Sequence, residues 1–92
     1  MIAHPPAETL LDFPCDYIFK AFGPHDGEGI FAGAVKSAVE TVLPLSLDAV
    51  RERPSSSGTY VCVSVVVRLH NIVQVHAIYG ALQGIPELKY LL

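Results

Sequence analysis

Between Thr59 and His70 the chain alternates with a period of two, and no other stretch limits the fold as tightly. Val61, Val63, Val65, Val67 and Leu69 fall on one side of this run. Tyr60, Cys62, Ser64, Val66, Arg68 and His70 fall on the other. Seven of the twelve positions from Thr59 to His70 are β-branched or tyrosine, which suits a pleated, half-buried surface. A polar turn, Arg53-Pro54-Ser55-Ser56-Ser57-Gly58, leads into it, and Asn71 to Gln83 follows with helical spacing. A short last strand, Pro86 to Leu92, completes what reads as half of a small α+β sandwich.

The first half repeats the order. Phe13 to Phe22 reads as a strand, with Tyr17, Phe19 and Ala21 on one face and Ile18, Lys20 and Phe22 on the other. Gly23-Pro24 is expected to end it. Asp26 is placed to cap a helix in which Phe31, Val35, Ala38, Val39 and Val42 recur at helical intervals and Pro44 marks the stop. Gly29 and Gly33 weaken its first turn. Leu47 to Arg53 reads as a short strand whose charges, Asp48, Arg51, Glu52 and Arg53, suit a sheet edge. Asn71 and Gln74 form a capping-box pattern at the second helix, in which each side chain serves the other's backbone N–H. Ile72, Val75, Ile78, Tyr79 and Leu82 make its buried stripe, and Gly84 is expected to supply a left-handed end.

Strand-helix-strand twice over predicts a ferredoxin-like βαββαβ sandwich. Such a fold has a four-stranded antiparallel sheet, two helices on one face, and the first and third strands in the centre. Residues 1–9 read as a flexible Pro-rich tail and residues 10–92 as one domain. A chain of 92 residues, half of them apolar, buries roughly 60–65% of its unfolded surface, enough for a core without staples. The formal net charge of −3, with 6 Lys and Arg, argues against nucleic acid as a partner. No basic-then-apolar leader and no run of membrane-spanning length stand in the sequence, so a cytoplasmic protein without a membrane segment is expected.

Motifs that carry chemistry are scarce. The cluster Gly27-Glu28-Gly29-Ile30-Phe31-Ala32-Gly33 lacks phosphate-loop spacing and has no Lys-Ser/Thr pair, so it reads as a plain loop. His4, His25, His70 and His76 show no zinc-ligand spacing, and neither a metal nor a cofactor is expected. Cys15 and Cys62 should sit near opposite ends of neighbouring antiparallel strands, too far apart to bridge. No acid, base and nucleophile are visibly arranged, so no catalytic residue is nominated and the protein reads as a non-enzyme. Ser55, Ser56, Ser57 and Gly58 offer either a small anion loop of backbone N–H groups or ordinary turn chemistry. The sheet face away from the helices should carry Ile18, Lys20, Phe22, Tyr60, Ser64, Val66 and Arg68, with Lys89 or Leu91 at its edge. Lys20, Tyr60 and Arg68 are its candidate ligand or partner contacts, as anion-facing and stacking groups.

Leu10-Leu11-Asp12-Phe13-Pro14 and Phe19-Lys20-Ala21-Phe22-Gly23 look like the opening of the YbeD-like bacterial proteins. Arg53-Pro54-Ser55-Ser56-Ser57-Gly58-Thr59-Tyr60, then Val63-Ser64-Val65, resemble their central signature. Ile72-x-x-Val75-x-x-Ile78-Tyr79-x-x-Leu82 is similar to their second helix, so the resemblance runs from Leu10 to Leu92. It implies a ferredoxin-like sandwich akin to the ACT regulatory domains, which bind amino acids and pair through their sheets. It implies no activity, since that family is of unknown function. The stretch from Pro24 to Gly33 departs from the pattern by its length and glycine content. The resulting expectation is an ACT-like regulatory or small-molecule-sensing domain. Its partners would be a second copy of the chain and a small molecule such as an amino acid. The alternative is an adaptor that docks a protein partner on its open face or an edge strand.

Overall fold

The computed structural model of the protein describes residues 12–92, so the expected tail over residues 1–9 lies outside the described residues. The elements run β1 (Cys15–Pro24), α1 (Ile30–Glu40), β2 (Val50–Pro54), β3 (Tyr60–Leu69), α2 (Ile72–Gln83) and β4 (Tyr90–Leu91). The sheet order is β2-β3-β1-β4 and each neighbouring pair is antiparallel. This is the ferredoxin-like α+β arrangement, with the first and third strands central. Among the described residues, no helix is long and apolar enough to cross a membrane.

The period-two pattern decides which side of the sheet is covered. Phe19 and Ala21 of β1, and Val61, Val63, Val65, Val67 and Leu69 of β3, are buried in one cluster. Phe31, Val35 and Val39 of α1 and Val75, Ile78, Tyr79 and Leu82 of α2 complete it. The ladder between β1 and β3 runs unbroken from Cys15↔Leu69 to Pro24↔Tyr60. Cys62 faces Phe22 while Cys15 faces Leu69, so the two thiols sit at opposite ends of the ladder and both are free.

The boundaries differ from expectation for local reasons. β1 ends at Gly23-Pro24 as expected, but takes both residues into the ladder instead of stopping at Phe22. Gly23 pairs with Val61 and Pro24 with Tyr60, and a proline is tolerated there because it is the last rung. Asp26 is not the N-cap of α1. That position belongs to Gly29, whose φ of 76° lies in the left-handed region that a Cβ disfavours. The Asp26 carboxylate closes the preceding loop, accepting from the N–H groups of Glu28, Gly29 and Ile30 at 2.9, 3.0 and 3.4 Å. The first turn is nonetheless closed, because the Gly33 N–H donates to the Gly29 carbonyl at 2.9 Å. α1 ends at Glu40, well before Pro44, where the Thr41 hydroxyl donates to the Ala38 carbonyl at 2.6 Å.

β2 starts at Val50 rather than Leu47. The Ser46 hydroxyl donates to Asp48 at 3.0 Å and the Ala49 N–H to the Ser46 carbonyl at 3.1 Å, so residues 46–49 form a turn with Leu47 at its tip. At α2, Asn71 accepts from the Gln74 N–H at 3.0 Å as expected. The return bond from the Gln74 side chain goes to the His70 N–H at 2.7 Å, not to that of Asn71. Gly84 ends α2 at φ −78°, a right-handed conformation and not the expected left-handed one. β4 shrinks to Tyr90–Leu91, because the Leu88 N–H bonds the Ile85 carbonyl in a turn that uses up the residues after Pro86.

Tyr79 gives the core a pH limit. Its ring packs edge-on against Phe19, with centroids 5.2 Å apart, and its hydroxyl lies 3.5 Å from that of Tyr17. Burial first, then the neighbouring Tyr17 hydroxyl, pushes the Tyr79 phenol well above its ordinary value. Below pH 10 the phenol is neutral in both states and stability is unaffected. Above pH 10 the unfolded chain sheds this proton while the folded one holds it, so stability should fall by up to about 1.4 kcal/mol per pH unit. Denaturant titrations between pH 8 and 11.5 should show this decline, and Tyr79→Phe should remove it. An unchanged decline in Tyr79→Phe would assign it to other groups.

Candidate functional site

The sheet side opposite the helices is ordered into rows, because antiparallel partners share a face. The first row is Asp16 beside Arg68, and the second is Ile18 beside Val66. Then come Lys20, Ser64 and Arg51, followed by Tyr90, Phe22, Cys62 and Arg53. Leu92 adjoins the third row, exchanging backbone hydrogen bonds with Lys20 at 2.8 and 3.1 Å. Tyr60 lies beyond the fourth row, at the start of β3.

The charge on this face runs against that of the chain. Lys20, Arg51, Arg53 and Arg68 all lie on it by register, out of 6 Lys and Arg in the sequence. The two acids within the strands divide, Asp16 to this face and Glu52 to the helix side. Arg68 is paired with Asp16 at 3.2 Å, both side chains largely exposed, which contributes at most about 1 kcal/mol. Lys20, Arg51 and Arg53 have no acidic partner among the described residues. Two strand spacings separate the backbones of Lys20 and Arg51, about 10 Å.

Three hollows border the face. One of about 390 Å³ opens between Phe22, Tyr60, Lys89, Tyr90 and Leu92. A second, of about 210 Å³, shares Phe22 and Tyr60 with it and reaches Arg53, Ser55 and Cys62. Phe22 and Tyr90 lean together, with centroids 6.0 Å apart. The third, of about 630 Å³, lies at the other end, where β2 has not yet begun. Its lining includes residues 42–46 and Val66, together with Asp16, Arg68, His70 and Gln74.

The residues nominated from sequence are therefore dispersed. Lys20 is central, Tyr60 stands at the aromatic end, and Arg68 stands at the far end of β3, about 27 Å away at ordinary strand rise. The fold gathers Lys20 with Arg51 and Arg53 instead. It also places Tyr90 and Leu92 on the face, while Leu91, one of two expected edge residues, is fully buried in the core. Arg51 and Arg53 were detectable, since both alternate with Val50. Ser55 to Gly58 form a compact turn. The N–H groups of Ser55, Gly58, Thr59 and Tyr60 are all spent inside it, at 2.8 to 3.4 Å.

Comparison with known proteins adds kinship. A family model described as Protein of unknown function (DUF493) matches residues 8–92. The chain is 38% identical over 87 residues to a UPF0250 protein of Paraburkholderia phytofirmans, covering 92% of this chain and 94% of that one. It is 33% identical over 91 residues to a UPF0250 protein of Ralstonia nicotianae, covering 98% and 92%. It is 32% identical over 89 residues to a UPF0250 protein of Bordetella pertussis, covering 96% of each. No solved structure matches the chain at a significant level.

Proposed function

The chain belongs to the DUF493 family of small bacterial proteins of unknown function, as its likeness to the YbeD-like proteins implied, and we propose from its geometry that it is a non-enzymatic interaction domain whose open sheet face receives an acidic partner. One observation carries this reading. A chain of net charge −3 places every cation of its strands on one face, and three of them lack an acid to pair with among the described residues. Cations held side by side repel one another, and an incoming row of carboxylates relieves that cost. Exposed Ile18 and Val66 beside the cationic row give such a partner apolar area as well.

The regulatory reading draws support from a different place. The hollow of about 630 Å³ falls within the usual range for small-molecule sites, with a largely apolar lining that also includes Asp16, Arg68, His70 and Gln74. A zwitterion such as an amino acid has matching chemistry, since the hollow is lined by both a cation, Arg68, and a carboxylate, Asp16.

One experiment separates the two. Amide NMR spectra of the labelled protein are recorded with polyglutamate, and separately with pooled amino acids. The acidic-partner reading expects polyglutamate shifts on Lys20, Arg51, Arg53 and Ser64. They should weaken as salt rises from 50 to 500 mM, and a Lys20→Glu/Arg51→Glu variant should bind at least tenfold more weakly. Shifts on Leu43, His70 and Gln74 from the amino acids alone would favour sensing. Polyglutamate shifts scattered over the helices, or none at all, would sink the first reading.

A further inference from the structure

We infer that the partner presents an acidic segment with a large aromatic side chain. On this reading the ring seats in the trough between Tyr60, Phe22, Tyr90 and Leu92 while its flanking carboxylates reach Arg53, Lys20 and Arg51. This rests on the acidic-partner reading and adds where the segment is anchored and by what.

The face is not uniform, and its rows assign separate roles. The cations of the third row and Arg53 of the fourth supply charge, but charge on an exposed surface gives encounter and register rather than lifetime. Lifetime comes from an apolar group that fills a recess and excludes water. The recess lies next to the cations. The 390 Å³ and 210 Å³ hollows share two aromatic walls, Phe22 and Tyr60, and so form one trough. Hollows of these volumes accommodate a large side chain and not merely a methyl group. Tyr60 and Leu92 are 45% and 44% exposed, so both can lose much of that area on contact. Phe22 is only half-buried and lies beside Tyr90 on the same face, their ring centroids 6.0 Å apart, so two rings line the trough side by side. Tyr60 is also held in place from behind, because its N–H donates to the Ser55 hydroxyl at 3.2 Å and its carbonyl accepts from the Ser55 N–H at 2.8 Å. A ring entering this trough meets ring faces and edges, the arrangement in which aromatic pairs gain beyond area alone.

Cations stand at both ends of the trough, Arg53 at one and Lys89 at the other. A neutral apolar ligand would leave them unused. An acidic segment with a central ring uses the recess and the cations together. Nucleic acid would offer rings and negative charge too. Its phosphates, however, would have to track a surface on which the exposed apolar pair Ile18 and Val66 interrupts the cations between Lys20 and Arg68.

The test uses three fluorescein-labelled probes on the whole chain: a glutamate-rich hexapeptide with one central tryptophan, the same peptide with alanine in its place, and a single-stranded hexanucleotide. The expected result is at least tenfold tighter binding of the tryptophan peptide than of the alanine peptide. Tyr60→Ser should erase that difference while leaving the weaker salt-dependent binding intact. Tyr60 is exposed, so this variant should fold, and a circular dichroism melt confirms it. Equal affinity for the two peptides would overturn the anchored site while sparing the acidic-partner reading. No binding of either peptide would overturn both. Tighter binding of the hexanucleotide would overturn the partner class.

Discussion

Gly23→Ala is expected to lower the unfolding free energy by about 3 kcal/mol, at the upper end of the usual cost of overpacking a core. Gly23 sits within β1, opposite Val61 on the ladder, and is buried. A Cβ built on it would fall 2.4 to 2.6 Å from three atoms of the Phe31 ring. Phe31 is 3% exposed and belongs to the first turn of α1, so its ring has nowhere to retreat without lifting the helix from the sheet. The absent side chain is thus what lets α1 settle on β1. Urea unfolding of the two single variants and the pair Gly23→Ala/Phe31→Leu should reveal coupling. The second change makes room, so the pair should be less destabilised than the sum of the singles by about 1 kcal/mol or more. A Gly23→Ala protein within about 0.5 kcal/mol of the parent would show that the Phe31 ring moves freely and that Gly23 is not needed for the packing of α1 on β1.

Phe19→Ala should be costlier still, about 3–5 kcal/mol. Phe19 is 0% exposed and its ring meets Tyr17 at 4.7 Å and Tyr79 at 5.2 Å, both edge-on. It therefore joins β1 to α2 at the centre of the core. For a domain of this size the total stability is on the order of 5–14 kcal/mol, so the variant should be largely unfolded by mild heating. Ile18→Ala, one residue away, supplies the contrast. Ile18 points to the open face and is 51% exposed, and its loss should cost under about 1 kcal/mol. Comparable losses for the two variants would contradict the assignment of faces along β1.

Those faces were legible because alternation over ten residues of β3 leaves one consistent solution. Val61 through Leu69 can turn inward only as a set, and a slip of one residue would bury Arg68. β1 then followed from its pairing. The ends of elements were less legible. Ser46 and Asp48 bond each other in a turn, a local preference that competes with extension and that the charges of Leu47 to Arg53 do not reveal. Tyr90, Leu91 and Leu92 are all apolar, so their sequence contains no parity signal. Only the pairing Ala21↔Leu91 decides that Leu91 is core while Tyr90 and Leu92 border the trough. The cationic row was legible only in part, since alternation with Val50 marks the face of Arg51 and Arg53 but not their neighbours. Lys20 and Arg51 are 31 positions apart in the chain and become neighbours across Ser64 only when β3 lies between them. Net charge, the quantity that composition offers, averages that separation away.

An acidic molecule with a basic side is an electric dipole. With a pI near 5.7 the protein migrates as an anion at neutral pH, yet a negative surface attracts the sheet face and repels the remainder. The resulting torque acts before contact, within a Debye length of about 8 Å at physiological ionic strength. Encounters with an anionic partner are thereby turned sheet-first, and those with a cationic one are turned away from it. Orientation of this kind raises the fraction of collisions that can become complexes without adding a single contact to the bound state.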